Sequence, residues 1–180
     1  MIETFDYGIL QWFQQIHNDF LTETYRFFTI IGEGGAVWIA VAILLLCFRE
    51  TRKHGVIVAF SLILCLVFGN GLLKNIVARP RPCWRHPEVE MLIGIPTDYS
   101  FPSGHTFSSF AAALSLFHWK KSVGFGAFCV AVLIATSRLY FFVHYPTDIL
   151  AGIMLGTVLA CISIYVVKYA IPKKMRGSRI

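Results

Sequence analysis

Three short stretches of this sequence carry residues suited to binding and attacking an anion. The first runs from Lys74 to Pro82, and in it Arg79 and Arg81 each precede a proline. Proline disfavours helical backbone at the residue before it, so the chain turns extended here, with two long cations at the end of an apolar run. Arginine offers a planar fork to two phosphate oxygens, and lysine offers a point charge. Taken alone, this stretch fits either an anion pocket or a basic patch touching lipid headgroups.

The second stretch, Pro102-Ser103-Gly104-His105, opens another apolar run. Serine in this position is typical of a helix N-cap, and a helix N-terminus presents free N–H groups and a positive dipole end to an anion. Gly104 allows a ligand close to the backbone, and His105 in the first turn is placed to act as a proton donor. The alternative is an ordinary cap with an incidental histidine.

The third stretch joins Arg138 to His144 and Asp148. Pro146 suits the first turn of a new helix, which places Asp148 at the start of that helix. A carboxylate in this position can accept a hydrogen bond from one imidazole nitrogen, leaving the other free to attack an electrophile. Alternatively, Asp148 only offsets the helix dipole.

Together the three stretches provide what phosphoryl transfer needs. They hold cations for the oxygens, a nucleophile and a proton donor. Charged groups near a bilayer are costly and usually functional. The combination is therefore more specific than any one of its parts.

The composition indicates that lipid surrounds the elements holding these residues. The 180-residue chain is 56% hydrophobic and 14% charged, with a mean hydropathy of +0.64, whereas ordinary soluble domains carry about 25% charged residues. This excludes a disordered chain, collagen, a coiled coil or a nucleic-acid-binding module, and argues against a soluble enzyme. The net charge of +6 is attributed to membrane topology rather than to a nucleic-acid partner.

The pattern predicts an all-α integral membrane helical bundle, formed by one domain over residues 1–180. Residues 1–26 are expected to form an amphipathic helix, either lying in the membrane interface or packed on the bundle. The core occupies 27–170, and a basic tail occupies 171–180. Five spans are predicted within this core: 27–48, 55–73, 104–119, 122–141 and 148–170.

The distribution of Lys and Arg predicts the orientation of the chain. The 49–54 loop, the 120–121 turn and the tail hold most of these residues, so the positive-inside rule places them in the cytoplasm. The chain is then a multi-pass cell-membrane protein with its N-terminus outside and its C-terminus inside. The outer loops, 74–103 and 137–147, put the candidate site on the extracytoplasmic face.

The three stretches resemble the signature of the type 2 phosphatidic acid phosphatase (PAP2) superfamily. All three motifs are complete and in order: Lys74-x6-Arg81-Pro82, then Pro102-Ser103-Gly104-His105, then Ser137-Arg138-x5-His144-x3-Asp148. The resemblance implies that His144 forms a phosphohistidine, that Asp148 orients it, and that His105 protonates the leaving oxygen and then deprotonates water. It implies phosphoryl-oxygen binding by a further set of residues: Lys74, Arg81, Ser103, the Gly104 amide and Arg138.

These observations predict a phosphatase acting on a membrane lipid phosphate, with no cofactor and no metal site. An outward-facing site favours undecaprenyl pyrophosphate as substrate, with phosphatidic acid or phosphatidylglycerophosphate as alternatives. A non-catalytic lipid-phosphate binder or transporter would not need the His144–Asp148 pair. A vanadium haloperoxidase would share the pocket but not the five spans.

Overall fold

The computed structural model describes residues 2–170, and all of their regular secondary structure is helical. This confirms the predicted all-α bundle. The helices are α1 (Ile2–Gln15), α2 (Asp19–Gly32), α3 (Ala36–Cys47), α4 (Arg52–Leu64), α5 (Lys74–Val77), α6 (Pro82–Arg85), α7 (Gly104–Trp119), α8 (Lys121–Tyr140) and α9 (Pro146–Ala170). A 3₁₀ turn, Glu33–Gly35, joins α2 to α3, and a π-helical segment, Cys65–Leu73, joins α4 to α5.

Residues 1–26 do not form the single helix that was predicted. The first helix ends at Gln15, and α2 begins at Asp19. Asn18 is the reason for the break, because its side chain accepts a hydrogen bond from the Leu21 N–H and so caps a new helix. The helical stretch that corresponds to the predicted span 27–48 therefore begins earlier, at Asp19.

Four helical stretches of the described chain are long and apolar enough to cross a membrane. They are Asp19–Cys47, Arg52–Arg85, Lys121–Tyr140 and Pro146–Tyr169. The predicted third span, 104–119, is α7, whose 16 residues extend about 24 Å at 1.5 Å per residue. That is shorter than the roughly 30 Å hydrocarbon core, and α7 instead packs along much of its length against α8 and α9. The predicted tail 171–180 lies outside the described residues.

Small residues hold α9 close against α7. A β-carbon at Gly156 would lie 2.4 Å from the carbonyl oxygen of Phe107, and one at Gly152 would lie 3.1 Å from Cβ of Thr106. This contact fixes the start of α9, which carries Asp148, relative to the start of α7, which carries His105.

The first helix packs on the end of the bundle where α7 and α9 begin. Its Leu10 and Phe13 are buried in a cluster with Tyr140 and its neighbours, while Phe5 and Trp12 on the other face are exposed. The amphipathic pattern therefore marks a helix that covers the bundle with one face.

Candidate active site

The end of the second long helix delivers two buried cations. The π-helical segment leads into α5, whose first residue is Lys74, and Ala78 in the left-handed conformation then ends that helix. The chain becomes extended, as the prolines predict, and Arg81 follows as the N-cap of α6. Lys74 and Arg81 are both buried, so their charges face the interior of the protein.

The start of α7 faces these cations. Ser103 is the N-cap, and its hydroxyl accepts hydrogen bonds from the Thr106 hydroxyl and, at 3.5 Å, from the Thr106 N–H. A β-carbon at Gly104 would lie 3.0 Å from Oδ1 of Asn70, so a larger residue here would require the Asn70 side chain to move. The Nε2 atom of His105 is buried without a hydrogen-bond partner among the described residues, a state in which a buried polar atom is costly.

A tight reversal between α8 and α9 aims His144 into the same space. The Val143 N–H donates to the Arg138 carbonyl and the Phe142 N–H to the Leu139 carbonyl, the paired bonds of a Schellman motif. Phe142 occupies the left-handed position, with φ of +56°, that usually holds glycine. The reversal leaves Arg138 and His144 buried on one side of the turn.

The hydrogen bonds of His144 assign its two nitrogens. Arginine can only donate, so the contact of 3.0 Å from Nη1 of Arg81 makes Nε2 of His144 the acceptor. The imidazole proton of this neutral form is then on Nδ1. The nitrogen that carries the lone pair, Nε2, is the one directed at the cations.

A serine lies between His144 and Asp148, contrary to the direct hydrogen bond expected from the sequence. Nδ1 of His144 is 3.6 Å from Oδ2 of Asp148, too far for a hydrogen bond. The hydroxyl of Ser100 lies 3.3 Å from Nδ1 and donates to Oδ2 of Asp148. Ser100 thus links the imidazole to the carboxylate, and the Tyr145 N–H also donates to that carboxylate.

Asp98 pairs with the two cations at the end of the second long helix. Arg81 donates from Nη2 to Oδ1 of Asp98 at 2.6 Å, and Nζ of Lys74 pairs with Oδ2. The Asp98 side chain is 53% exposed, so it approaches these cations from the open side. A carboxylate with two oxygens between two cations resembles part of a bound phosphoryl group.

Burial and neighbouring charges determine the protonation states of His144 and Asp98. Burial, together with the charges of Arg81, Arg138 and Lys74, lowers the pKa of His144 well below its usual value, so the imidazole is neutral and nucleophilic near pH 7. Partial burial raises the pKa of Asp98, but Lys74 and Arg81 outweigh that effect and lower it to about 2. Asp98 therefore stays ionised throughout any ordinary assay range.

Replacing Asp98 by asparagine is expected to strengthen the binding of inorganic phosphate or vanadate, because the anion no longer competes with a carboxylate for Lys74 and Arg81. We expect the inhibition constant to fall by about tenfold, which corresponds to about 1.4 kcal/mol. Since the pKa of Asp98 is already depressed to about 2, its ion pairs persist above pH 4, and the tightening should be equal at pH 6 and pH 8.

The control for this experiment is Glu90→Gln, which removes an exposed carboxylate from the same irregular segment. It should leave the inhibition constant unchanged. Weaker anion binding by the Asp98 variant would instead mean that Asp98 holds the two cations in place for the ligand.

These groups line one end of a cavity of about 950 Å³. Six of the eight predicted site residues line it: Lys74, Arg81, Gly104, His105, Arg138 and His144. Asp148 lies behind His144, and the hydroxyl of Ser103 bonds within the first turn of α7. The structure thus brings all three sequence stretches together but places two of the predicted residues outside the cavity wall.

The other end of the cavity is apolar and reaches the surface of the bundle. It is bounded by side chains of α3, α4 and the π-helical segment, among them Ile43, Ile63 and Leu66. These three side chains are more than half exposed, on the surface that the long apolar helices present to lipid. The cavity therefore connects a cationic pocket to the lipid-facing side of the protein.

Sequence reasoning missed two residues of this arrangement, Ser100 and Asp98. Both Ser100 and Asp98 lie in the irregular segment between α6 and α7, which has no periodicity from which to predict their direction. Within residues 2–170, no group of three or more His, Cys, Asp or Glu residues is placed to hold a metal ion.

Curated relatives are similar in sequence to this chain over most of its length. A protein from Sulfolobus acidocaldarius named undecaprenyl-diphosphatase is 36% identical over 134 residues, which cover 72% of this chain and 63% of the relative. A Mycolicibacterium smegmatis protein named decaprenylphosphoryl-5-phosphoribose phosphatase is 32% identical over 122 residues, covering 67% of this chain and 65% of the relative. The chain thus aligns with just under two thirds of the length of either relative.

The fold matches a solved membrane protein, and the sequence matches one family model. The crystal structure of a transmembrane PAP2-type phosphatidylglycerolphosphate phosphatase from Bacillus subtilis superposes with a TM-score of 0.76 at 24% identity, covering 93% of this chain and 86% of that chain. With its four long apolar helices, the chain is a multi-pass membrane protein. The model of the PAP2 superfamily matches residues 54–172, which include every motif residue described above, so the chain belongs to the PAP2 superfamily.

Proposed function

We propose that this protein is a lipid phosphate phosphatase that hydrolyses a prenyl phosphate or pyrophosphate through a phosphohistidine at His144. One observation carries the proposal. Nε2 of His144 carries a lone pair among Lys74, Arg81 and Arg138, at one end of a cavity whose other end is apolar and open to the lipid-facing surface. A lipid phosphate fits this cavity, because its anionic headgroup can bind at the cationic end and its hydrocarbon chain can lie at the apolar end.

In the first step, Nε2 of His144 attacks the phosphorus atom of the substrate. The P–N bond forms as the bond from phosphorus to the leaving oxygen breaks. That oxygen takes a proton from Nε2 of His105, which enters this step as the imidazolium and leaves it neutral. The alcohol or the shortened lipid phosphate then departs. Positive charge develops on the imidazole of His144, and Asp148 offsets it through Ser100.

In the second step, water attacks the phosphorus atom on the side opposite His144. His105 takes a proton from this water, the P–N bond breaks, and inorganic phosphate is released. Lys74, Arg81, Arg138 and the Gly104 N–H hold the three remaining oxygens through both steps. Lys74 and Arg81 must exchange Asp98 for those oxygens.

Polyprenyl substrates are favoured because both curated relatives described above are named for activity on polyprenyl phosphates. Undecaprenyl pyrophosphate is the preferred candidate. Phosphatidic acid and phosphatidylglycerophosphate present the same phosphate chemistry with diacyl chains, so the headgroup pocket alone does not separate them.

The proposal is tested by measuring phosphate release from purified protein in one detergent, with undecaprenyl pyrophosphate, phosphatidic acid and phosphatidylglycerophosphate competing. We expect the largest kcat/KM for the prenyl pyrophosphate. We also expect full activity in excess EDTA, because Lys74, Arg81 and Arg138 supply positive charge for the phosphoryl oxygens. A higher kcat/KM for a diacyl substrate would overturn the substrate assignment. Loss of activity in EDTA would overturn metal independence, and no release from any substrate would overturn the enzyme.

We also propose that the site faces outward and that the C-terminus is cytoplasmic. The basic 49–54 loop and 120–121 turn lie at the end of the bundle opposite the site, as the positive-inside rule requires for a cytoplasmic end. A single cysteine at position 90, in a variant lacking the five native cysteines, should react with an impermeant thiol reagent on intact cells. Reaction only after permeabilisation would invert the topology.

A further inference from the structure

Arg79 is shared between two buried carboxylates, one beside the candidate nucleophile and one on the first helix. Its Nη1 donates to Oδ1 of Asp148 at 2.6 Å, and its Nη2 donates to Oδ2 of Asp6 at 2.7 Å. Both carboxylates are fully buried. The guanidinium also lies 3.8 Å from the ring centre of Tyr145, which fixes its plane between the two acids.

Asp6 is anchored to the start of α9 as well as to Arg79. Its Oδ1 accepts from the Thr147 N–H at 3.0 Å, and its Oδ2 accepts from the Thr147 hydroxyl at 2.7 Å. A residue of α1 thus caps the helix that carries Asp148. Asp6 lies outside residues 54–172, the part of the chain that matches the PAP2 model.

The charges of this cluster decide how much negative charge supports His144. Arg79 with Asp148 alone is a neutral pair, whereas Asp6, Arg79 and Asp148 together carry one net negative charge. That charge favours a positive imidazole, which forms when Nε2 takes a phosphoryl group. The ionisable groups that face His144 are Arg81, Arg138, Lys74, His105, Asp98 and Asp148. Three of them are cations and two are carboxylates, so the negative charge of the cluster counteracts an excess of positive charge.

We propose that Asp6 is a positioning residue for the reaction, acting through Arg79 to keep Asp148 oriented and the cluster net negative beside His144. The inference rests on the proposed function, since it gives a role to charge beside the nucleophile. It makes the first helix part of the active site rather than only a cover over the bundle.

The test changes the charge of the cluster in both directions. Asp6→Asn makes the cluster neutral, so the acidic limb of the kcat/KM–pH profile should move to lower pH by about 0.5–1 unit, and kcat should fall by about tenfold. Arg79→Gln makes the cluster more negative, so the same limb should move to higher pH. The double variant restores one negative charge, and its limb should return close to that of the unmodified protein.

Glu3→Gln is the matched control, because Glu3 lies on the same helix and pairs with Arg85 at the exposed surface. Its profile should coincide with that of the unmodified protein. If Asp6→Asn has the same limb as Glu3→Gln, or if both cluster variants shift in one direction, Asp6 has only a structural role and the inference is wrong. Should Asp6→Asn alone not fold, the double variant is compared with Arg79→Gln, because these two differ only at Asp6. A lower limb in the double variant supports the inference, and coincident limbs overturn it.

A second measurement separates this inference from the proposed function. Titration of the His144 side chain by ¹⁵N NMR, with its signal assigned by its loss in His144→Gln, reports the same opposite shifts without turnover. Opposite shifts in a protein that releases no phosphate would support the charge cluster and refute the enzyme. Shifts in the same direction in a protein that does release phosphate would support the enzyme and refute the charge cluster.

Discussion

Replacing His144 by glutamine is expected to abolish turnover while leaving anion binding intact. Glutamine can still accept a hydrogen bond from Nη1 of Arg81, so the cationic pocket keeps its shape, but an amide cannot attack phosphorus. Loss of a nucleophile costs about 10³-fold or more in kcat. The measurement is phosphate release from a lipid phosphate, with vanadate or phosphate binding followed in parallel.

The control for this variant is His118→Gln, an exposed histidine in the last turn of α7, far from the cavity. Its turnover should match that of the unmodified protein. Rapid quenching under alkaline conditions should also trap labelled phosphate on the unmodified protein and none on His144→Gln. Turnover by His144→Gln above about a tenth of the original would assign the nucleophile to another residue.

Most of the framework that holds His144 could be predicted from local sequence. The proline pairs fix extended backbone around Arg81, Ser103 caps α7, and Pro146 opens α9, each through interactions with immediate neighbours. The apolar runs gave the bounds of α7, α8 and α9 to within about two residues. The break before α2 also had a local signal, since Asn18 is followed directly by Asp19, but the hydrophobic period masked it.

The residues that tune the site could not be predicted, because their roles depend on distant parts of the chain. Asp6 meets Thr147, 141 positions later, and no local pattern connects them. Asp98 and Ser100 reach Arg81 and His144 from an irregular segment whose path is set by packing. The sequence correctly placed Asp148 at the start of α9. Its carboxylate is nevertheless 3.6 Å from Nδ1 of His144, and the Ser100 hydroxyl lies between the two groups.

Two different sets of residues orient the imidazole of His144 and place negative charge beside it. Ser100 connects Nδ1 of His144 to Asp148 by hydrogen bonds, and Arg79 connects Asp148 to Asp6 by ion pairs. Deleting the serine should therefore disturb the orientation of the imidazole but leave the charge beside it. Deleting the charge of Asp148 should remove the stabilisation of the proposed phosphohistidine.

Asp148→Asn is accordingly expected to lower kcat by about 10³–10⁴-fold, as loss of the equivalent carboxylate does in other histidine-dependent active sites. Asparagine keeps the size of the side chain and an oxygen for the Tyr145 N–H, but it leaves Arg79 with one carboxylate and removes the negative charge next to Nδ1 of His144. Ser100→Ala, the matched comparison, should lower kcat by only about 10–100-fold, because Asp148 remains 3.6 Å from Nδ1. Both variants should bind vanadate, and steady-state kinetics with single-turnover measurements would show the difference in the chemical step. Equal losses in the two variants would mean that the hydrogen-bonded path through Ser100, and not the charge of Asp148, sustains the nucleophile.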